Sequence, residues 1–97
     1  MIKNDIALEI EKKSNFNGAK SLLIVETILE ALKSALSRQE KVEIRGFGSF
    51  KVKKRKARMA RNPRTGEEVF VDEHYVPIFK VSKELRSGVD QNLKAKE

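Results

Sequence analysis

The side chains best able to do chemistry lie in one cationic stretch of the chain. Arginine recurs at every third position, at Arg55, Arg58, Arg61 and Arg64, and Pro63 precedes the last of them. Guanidinium groups bind phosphates and are attracted by the negative potential of a narrow DNA minor groove. A proline ring at the end of such a stretch can act as a rigid apolar wedge between base steps, although most turn prolines are only structural. The pattern indicates nucleic-acid binding.

The distribution of charge supports this interpretation. The chain has 97 residues, a formal net charge of +7 and an isoelectric point near 9.8. Residues 41–66 carry ten basic side chains and one acidic one, Glu43, whereas residues 1–40 are neutral and residues 67–97 carry a net charge of −2. All the excess positive charge therefore lies in one segment, as expected of a polyanion-binding surface.

The cationic segment is predicted to be a β-ribbon rather than a solvated tail. Phe50 and Val52 alternate with polar residues before it, and Val69 and Val71 resume the alternation after it. Residues 62–66 (Asn-Pro-Arg-Thr-Gly) are typical of a turn, since proline presets φ and glycine accepts a positive φ. We expect an arm over about residues 53–73 that is roughly 30 Å long.

The other segments complete an α+β fold in a single domain over residues 1–97. Apolar periodicity predicts helices over residues 3–13 and 18–37, within a helical part that spans residues 1–40. Residues 41–81 are predicted to form a three-stranded antiparallel sheet that extends into the arm, with Pro77 at an edge or irregular position. Ser82 is expected to cap a last helix over residues 82–93, and the lysine-rich tail from residue 94 is expected to fray.

The second predicted helix carries more apolar surface than one short partner helix can cover. Two neighbouring stripes run along it, formed by Leu22, Val25, Leu29, Leu32 and Leu36 and by Ile24, Ile28, Ala31 and Ala35. Either a second subunit or the sheet could cover the excess, and the sequence leaves both interpretations open.

Several motifs together resemble the bacterial HU / integration host factor family. They are Gly46–Phe50, then Arg55 and Arg58, then Ala60–Gly66, all at the family's spacing. The order of elements is also similar over almost the whole chain. Three segments are more similar to the β subunit of integration host factor than to HU: Val42–Phe50, Tyr75–Pro77 and Lys83–Arg86.

The resemblance implies a histone-like, nucleoid-associated protein of the bacterial cytoplasm that bends and condenses duplex DNA. It implies an intertwined dimer, with an identical or a related subunit, whose arms lie in the minor groove and intercalate Pro63. Flanking phosphates would meet Lys3, Arg45, Lys83 and the backbone near Ser49. The predicted DNA-binding residues are Lys3, Arg45, Ser49, Lys53, Arg55, Lys56, Arg58, Arg61, Asn62, Pro63, Arg64 and Lys83.

Departures from the family pattern predict local differences. Arg58-Met59-Ala60 replaces the usual Arg-Thr/Pro-Gly, which predicts a different bend of the arm, and Val81-Ser82 replaces the Pro-Gly before the last helix. Glu43 and Arg45 resemble the pair that gives integration host factor some sequence preference. A cross-strand or same-face salt bridge is an equal alternative for these residues.

Other classes of function fit the sequence less well. An enzyme, a metal site and a cofactor are not expected, because His74 stands alone, cysteine is absent and residues 46–48 lack the third glycine of a dinucleotide loop. No apolar run is long enough for a membrane span. RNA binding, or DNA coating without bending, is the main alternative, although the aromatic residues lie mainly at core-periodic positions and none occurs between residues 51 and 69. A module that binds acidic membranes or partner proteins is a weaker alternative.

Overall fold

The computed structural model describes residues 1–96 and confirms an α+β fold of two helices, an antiparallel sheet with an arm and a final helix. The chain divides into two compact units, Met1–Arg38 and Gln39–Glu97. The elements are α1 (Lys3–Lys13), α2 (Gly18–Ser37), β1 (Val42–Ile44), β2 (Gly48–Arg55), β3 (Arg58–Arg61), β4 (Glu68–Val71), β5 (His74–Val81) and α3 (Lys83–Ala95).

The first unit is a pair of packed helices whose ends are set by local hydrogen bonds. The Asp5 carboxylate accepts a hydrogen bond from the Ile2 amide at 2.6 Å at the start of α1. The Asn17 side chain accepts one from the Lys20 amide at 2.8 Å and so caps α2. Both helices have the bounds that the sequence predicts.

The apolar surface of α2 is only partly covered. Ser21 and Val25 are buried, together with Ala7 of α1. Leu29, in the centre of the predicted stripe, keeps 45% of its surface exposed. A single chain therefore leaves apolar area on α2 available for another contact.

The second unit is built on a sheet in the order β1-β2-β5, with antiparallel neighbours. Val42, Phe50 and Phe79 lie in one cross-strand row, and the Phe50 and Phe79 ring centroids are 4.7 Å apart. Because side chains alternate along a strand, Lys51 and Lys53 lie on the opposite face. β5 pairs only with β2, so Pro77 occupies an edge strand as predicted.

The final helix is longer than predicted. Ser82 accepts a hydrogen bond from the Leu85 amide at 3.0 Å, so α3 has a capped start without the family's usual Pro-Gly. The helix continues to Ala95, and the expectation that the chain frays from residue 94 is wrong for the part described. An ion pair between Lys94 and Asp90 at 3.2 Å, four residues apart, accompanies the last turn. Glu97 lies outside the described residues.

The arm is a separate two-stranded sheet rather than an uninterrupted continuation of the three-stranded one. β3 pairs with β4, and the two residues between β2 and β3 (56–57) and the two between β4 and β5 (72–73) lie outside both ladders. The Asp72 carboxylate accepts the Glu73 amide proton at 2.7 Å, and its carbonyl oxygen lies 2.9 Å from Nδ1 of His74. Such local bonds compete with strand pairing. A different bend was predicted at Met59 and Ala60. The pairing of these two residues is regular, and the break lies before them, at residues 56–57.

Gly48 provides a test of how closely β2 and β5 approach. A Cβ atom at this position would lie 2.5 Å from the carbonyl oxygen of Lys80 and 2.6 Å from the Phe79 ring. We expect Gly48→Ala to lower the free energy of unfolding by about 1–3 kcal/mol, because the Lys80 backbone cannot move away without disturbing the pairing of β2 with β5. Urea denaturation at a fixed protein concentration measures the change.

Gly88→Ala is the matched control. Gly88 lies in α3, and a methyl group added there would have no atom within 4 Å, so alanine should be neutral or stabilise the helix by up to about 1 kcal/mol. Equal stability of the Gly48 variant and the unmodified chain would contradict the close approach.

Candidate nucleic-acid interface

The tip of the arm is an ordered turn that presents Pro63. The Asn62 amide donates to the Glu67 carbonyl, and the Gly66 amide donates to the Asn62 carbonyl, both at 2.8 Å. The Asn62 side chain also accepts the Arg64 amide proton at 2.9 Å. Gly66 has a φ of 77°, which glycine adopts without the steric cost of a Cβ. The exposed Pro63 ring is thus held by a turn of the predicted kind.

The two faces of the arm carry different side chains. In the β3–β4 register Arg58 lies opposite Val71 and Ala60 opposite Val69 on one face. Met59 lies opposite Phe70, and Arg61 opposite Glu68, on the other. Arg58 and Arg61, both predicted to bind DNA, therefore project from opposite faces of the ribbon.

Most of the predicted arm cations are exposed and have no ion-pair partner among the described residues. Within residues 1–96, five of them form no ion pair and all five are exposed: Lys53, Arg55, Lys56, Arg58 and Arg64. Arg61 differs, because its guanidinium lies 3.6 Å from the Glu68 carboxylate and donates to the Gly66 carbonyl at 3.3 Å. The arm therefore combines unpaired cations with one arginine held in place at its tip.

Three predicted flank residues, Arg45, Ser49 and Lys83, line one open groove at the other end of the sheet. The Ser82 amide donates to the Phe47 carbonyl at 2.9 Å and joins the start of α3 to the β1–β2 turn. Lys41 and Lys80 also line the groove, together with one acidic residue, Glu43, which pairs with Lys41. The N-terminus of α3 opens at this groove, and its dipole favours an anion. The groove is therefore suited to a phosphate group.

The remaining predicted residues have other surroundings. Lys3 belongs to the helical unit, where its Nζ lies 3.4 Å from the Glu26 carboxylate. Glu43 pairs with Lys41 at 3.1 Å and not with Arg45, which forms no ion pair within residues 1–96. Glu43 therefore forms a salt bridge with a residue two positions away, as the alternative interpretation allowed, whereas Arg45 forms none.

One feature of the arm was missed by sequence reasoning. Met59 and Phe70 are direct cross-strand partners, and they keep 57% and 63% of their surfaces exposed. The interpretation that the aromatic residues lie mainly at core positions does not hold in the single chain, where only Phe50 is half-buried and the other five are exposed: Phe16, Phe47, Phe70, Tyr75 and Phe79. Three consecutive apolar residues at 69–71 were the available signal, since a strand must place them on both faces.

Two further features concern other kinds of site. Among residues 1–96 there is no group of three or more histidine, cysteine, aspartate or glutamate side chains arranged to hold a metal ion. Over the same residues, no helix has the length and apolar character needed to cross a bilayer.

The chain is similar to known proteins along nearly its whole length. The family model described as bacterial DNA-binding protein matches residues 1–90. Integration host factor subunit beta of Buchnera aphidicola (subspecies Cinara cedri) is 43% identical over 91 residues, which cover 93% of this chain and 94% of that protein.

Solved structures agree with this assignment. HU of Anabaena, in a cocrystal with DNA, is 32% identical and superposes with a TM-score of 0.81 over 92% of this chain and 97% of that one. HU of Thermotoga maritima is also 32% identical, with a TM-score of 0.64 over 92% and 98% of the two chains. The resemblance seen in the sequence is thus confirmed: the chain belongs to the bacterial HU / integration host factor family of DNA-binding architectural proteins, which is not a family of enzymes.

Proposed function

We propose that this protein is a dimeric, nucleoid-associated architectural protein that binds duplex DNA with its arms in the minor groove and bends it by inserting Pro63. The observation that carries the proposal is the arm itself, which combines an ordered proline tip with exposed cations that have no ion-pair partner in residues 1–96. The related Anabaena HU was crystallised with DNA.

Electrostatics would supply most of the affinity. Each arm cation that neutralises a phosphate releases a condensed counterion, a favourable term that does not depend on sequence. The groove at Arg45, Ser49 and Lys83 would hold a phosphate on the flanking duplex. Lys3 could add a contact by exchanging its Glu26 partner for a phosphate.

The tip would supply the bend. Unstacking a base step costs a few kcal/mol, which extra contacts on a bent duplex can offset. The hydrogen bonds of Asn62 fix the turn before DNA is present, so little entropy is lost when the Pro63 ring inserts.

Dimerisation would cover the apolar surface of α2. Within residues 1–96 only Ala7 and Val25 are buried apolar side chains, which is a small core for a chain of this length. The partner subunit can be a second copy or a related chain.

Leu29→Asp tests the dimer. Leu29 lies in the predicted stripe, so a carboxylate there would be buried without a partner at the interface, and we expect loss of the folded dimer rather than a stable monomer. Sedimentation velocity measures the oligomeric state and circular dichroism measures the folding, both at about 10 μM, which is well above the Kd of a tight dimer.

Leu23→Asp is the matched control, because Leu23 is 62% exposed and lies about 120° around the helix from Leu29. This variant should remain a folded dimer. A stable monomer for the unmodified chain would rule the dimer out.

The dependence of affinity on salt tests the electrostatic contribution. Six phosphate contacts would give a slope of about −5 when log K is plotted against the logarithm of the salt concentration. Arg58→Ala and Arg64→Ala should each make the slope about one unit shallower and weaken binding to all duplexes. Arg61→Ala should do the same and also leave Glu68 without its partner.

Lys94→Ala is the control for this series, since Lys94 lies in the last turn of α3 and is paired with Asp90. It should leave the slope unchanged. A slope near zero for the unmodified protein would show that the basic segment is not the binding surface.

Pro63→Ala separates bending from binding. It keeps the charge of the arm and removes the rigid wedge, so we expect an unchanged salt slope and a much smaller induced bend. The preference for nicked or gapped DNA over intact duplex, which the unmodified protein should show, should narrow. Fluorescence resonance energy transfer between the ends of one duplex probe measures the bend that each protein induces. If the unmodified protein leaves the duplex straight, or the variant bends it equally, intercalation is excluded and a coating mode remains.

A further inference from the structure

The arm carries an apolar pair near its tip that the proposed function does not use. Met59 on β3 and Phe70 on β4 are direct cross-strand partners, and more than half of each side chain is exposed. Arg58, Ala60 and Val69 alternate to the opposite face of the ribbon. The bulkiest apolar side chains of the arm are therefore gathered on one face.

This face has no cover in the described chain. The sheet of β3 and β4 has two strands, and Phe70 has no ring contact within residues 1–96. Exposing an aromatic ring and a methionine side by side forgoes the free energy that their burial would provide. An intermolecular contact would recover it.

The position of Arg61 indicates which molecule makes that contact. Arg61 and Glu68 form the next cross-strand pair toward the tip on the same face, about 7 Å from Met59 and Phe70. Arg61 is also joined to the tip through the Gly66 carbonyl. A duplex that meets Arg61 and the tip would therefore meet the apolar pair as well.

The charge around the pair favours DNA over an apolar protein partner. The strand that carries Met59 leaves the sheet through Arg55, Lys56 and Arg58, none of which has an ion-pair partner in residues 1–96. The strand that carries Phe70 is flanked by acidic residues at 67–68 and 72–73, so residues 53–73 carry seven basic and four acidic side chains and keep a net charge of +3. These cations would repel most protein surfaces except strongly acidic ones, whereas they attract phosphates on both sides of a groove.

We propose that Met59 and Phe70 pack against the deoxyribose walls of the minor groove and give this protein a component of DNA affinity that does not depend on salt. The proposal rests on the proposed function, since it requires the arm to lie in the groove. The walls expose carbon-bound hydrogens between the phosphates, and burying apolar surface against them releases no counterion. The contact should therefore change the level of affinity without changing its slope with salt.

Phe70→Thr and Met59→Thr test the contact, because threonine keeps a strong strand preference while removing the ring or thioether. Affinity for an intact duplex is measured by fluorescence anisotropy over a range of salt concentrations. We expect Phe70→Thr to weaken binding about tenfold at every concentration, and Met59→Thr by a smaller factor. Plots of log K against log salt for the variants and the unmodified protein should be parallel.

Val69→Thr is the matched control, since Val69 neighbours Phe70 in β4 and lies on the opposite face of the ribbon. It should change affinity less than about twofold, within the range of ordinary surface substitutions. Circular dichroism of each variant, alone and with DNA, shows whether the fold is kept.

Three results would overturn the inference. They are unchanged affinity for Phe70→Thr, an equal loss for Val69→Thr, or a loss confined to single-stranded DNA or RNA probes, which would assign Phe70 to stacking on unpaired bases. Failure of the proposed function has a different signature. In that case the unmodified protein itself would not bind duplex DNA with a steep salt slope.

Discussion

The antiparallel register between β2 and β5 determines which side chains the second unit presents to its surroundings. A slip of one residue would exchange the two faces of every strand. Close packing opposes such a slip, because Gly48 lies against the Lys80 backbone and the Phe50 ring against that of Phe79. The same register resumes in the arm, where Arg58 faces Val71 after two unpaired residues in each strand. The basic face of the sheet and both faces of the arm therefore depend on one alignment.

The register also concentrates charge. Lys51, Lys53 and Arg55 share one face of β2 at spacings of about 7 Å, and within residues 1–96 none of them has an ion-pair partner. Their mutual repulsion opposes the ordered strand in the free protein. A polyanion that binds this face removes the repulsion, so DNA binding and stability of the sheet are thermodynamically linked.

The elements that the sequence predicts well are those fixed by local signals. α2 begins and ends where expected, because Asn17 caps it and its apolar period is regular. The proline-tipped turn follows from Pro63 and Gly66, whose backbone preferences are intrinsic. The hydrogen bond between Ser82 and Phe47 that joins the two sides of the groove depends on tertiary structure, so the sequence pattern does not reveal it. The groove residues Arg45, Ser49 and Lys83 were therefore predicted from the family resemblance. Their contacts with phosphate stay a prediction.

The features that sequence reading missed depend on contacts between distant residues or on competition between weak ones. The exposed pair of Met59 and Phe70 appears only when the two strands are aligned. At the interruption of the arm the Asp72 carboxylate accepts its neighbour's amide proton, a local bond that competes with strand pairing. The end of α3 was placed too early because the pairing of Lys94 with Asp90 was not weighed against the general tendency of chain ends to fray.

The interruption has a mechanical consequence for the arm. Residues 56–57 and 72–73 belong to no ladder, so rotating their backbone dihedrals breaks no strand-to-strand hydrogen bond. Two residues are unpaired on each side, so the register of the two strands is the same before and after the interruption. The interruption therefore allows the arm to change its direction relative to the sheet without changing the register that assigns side chains to its two faces.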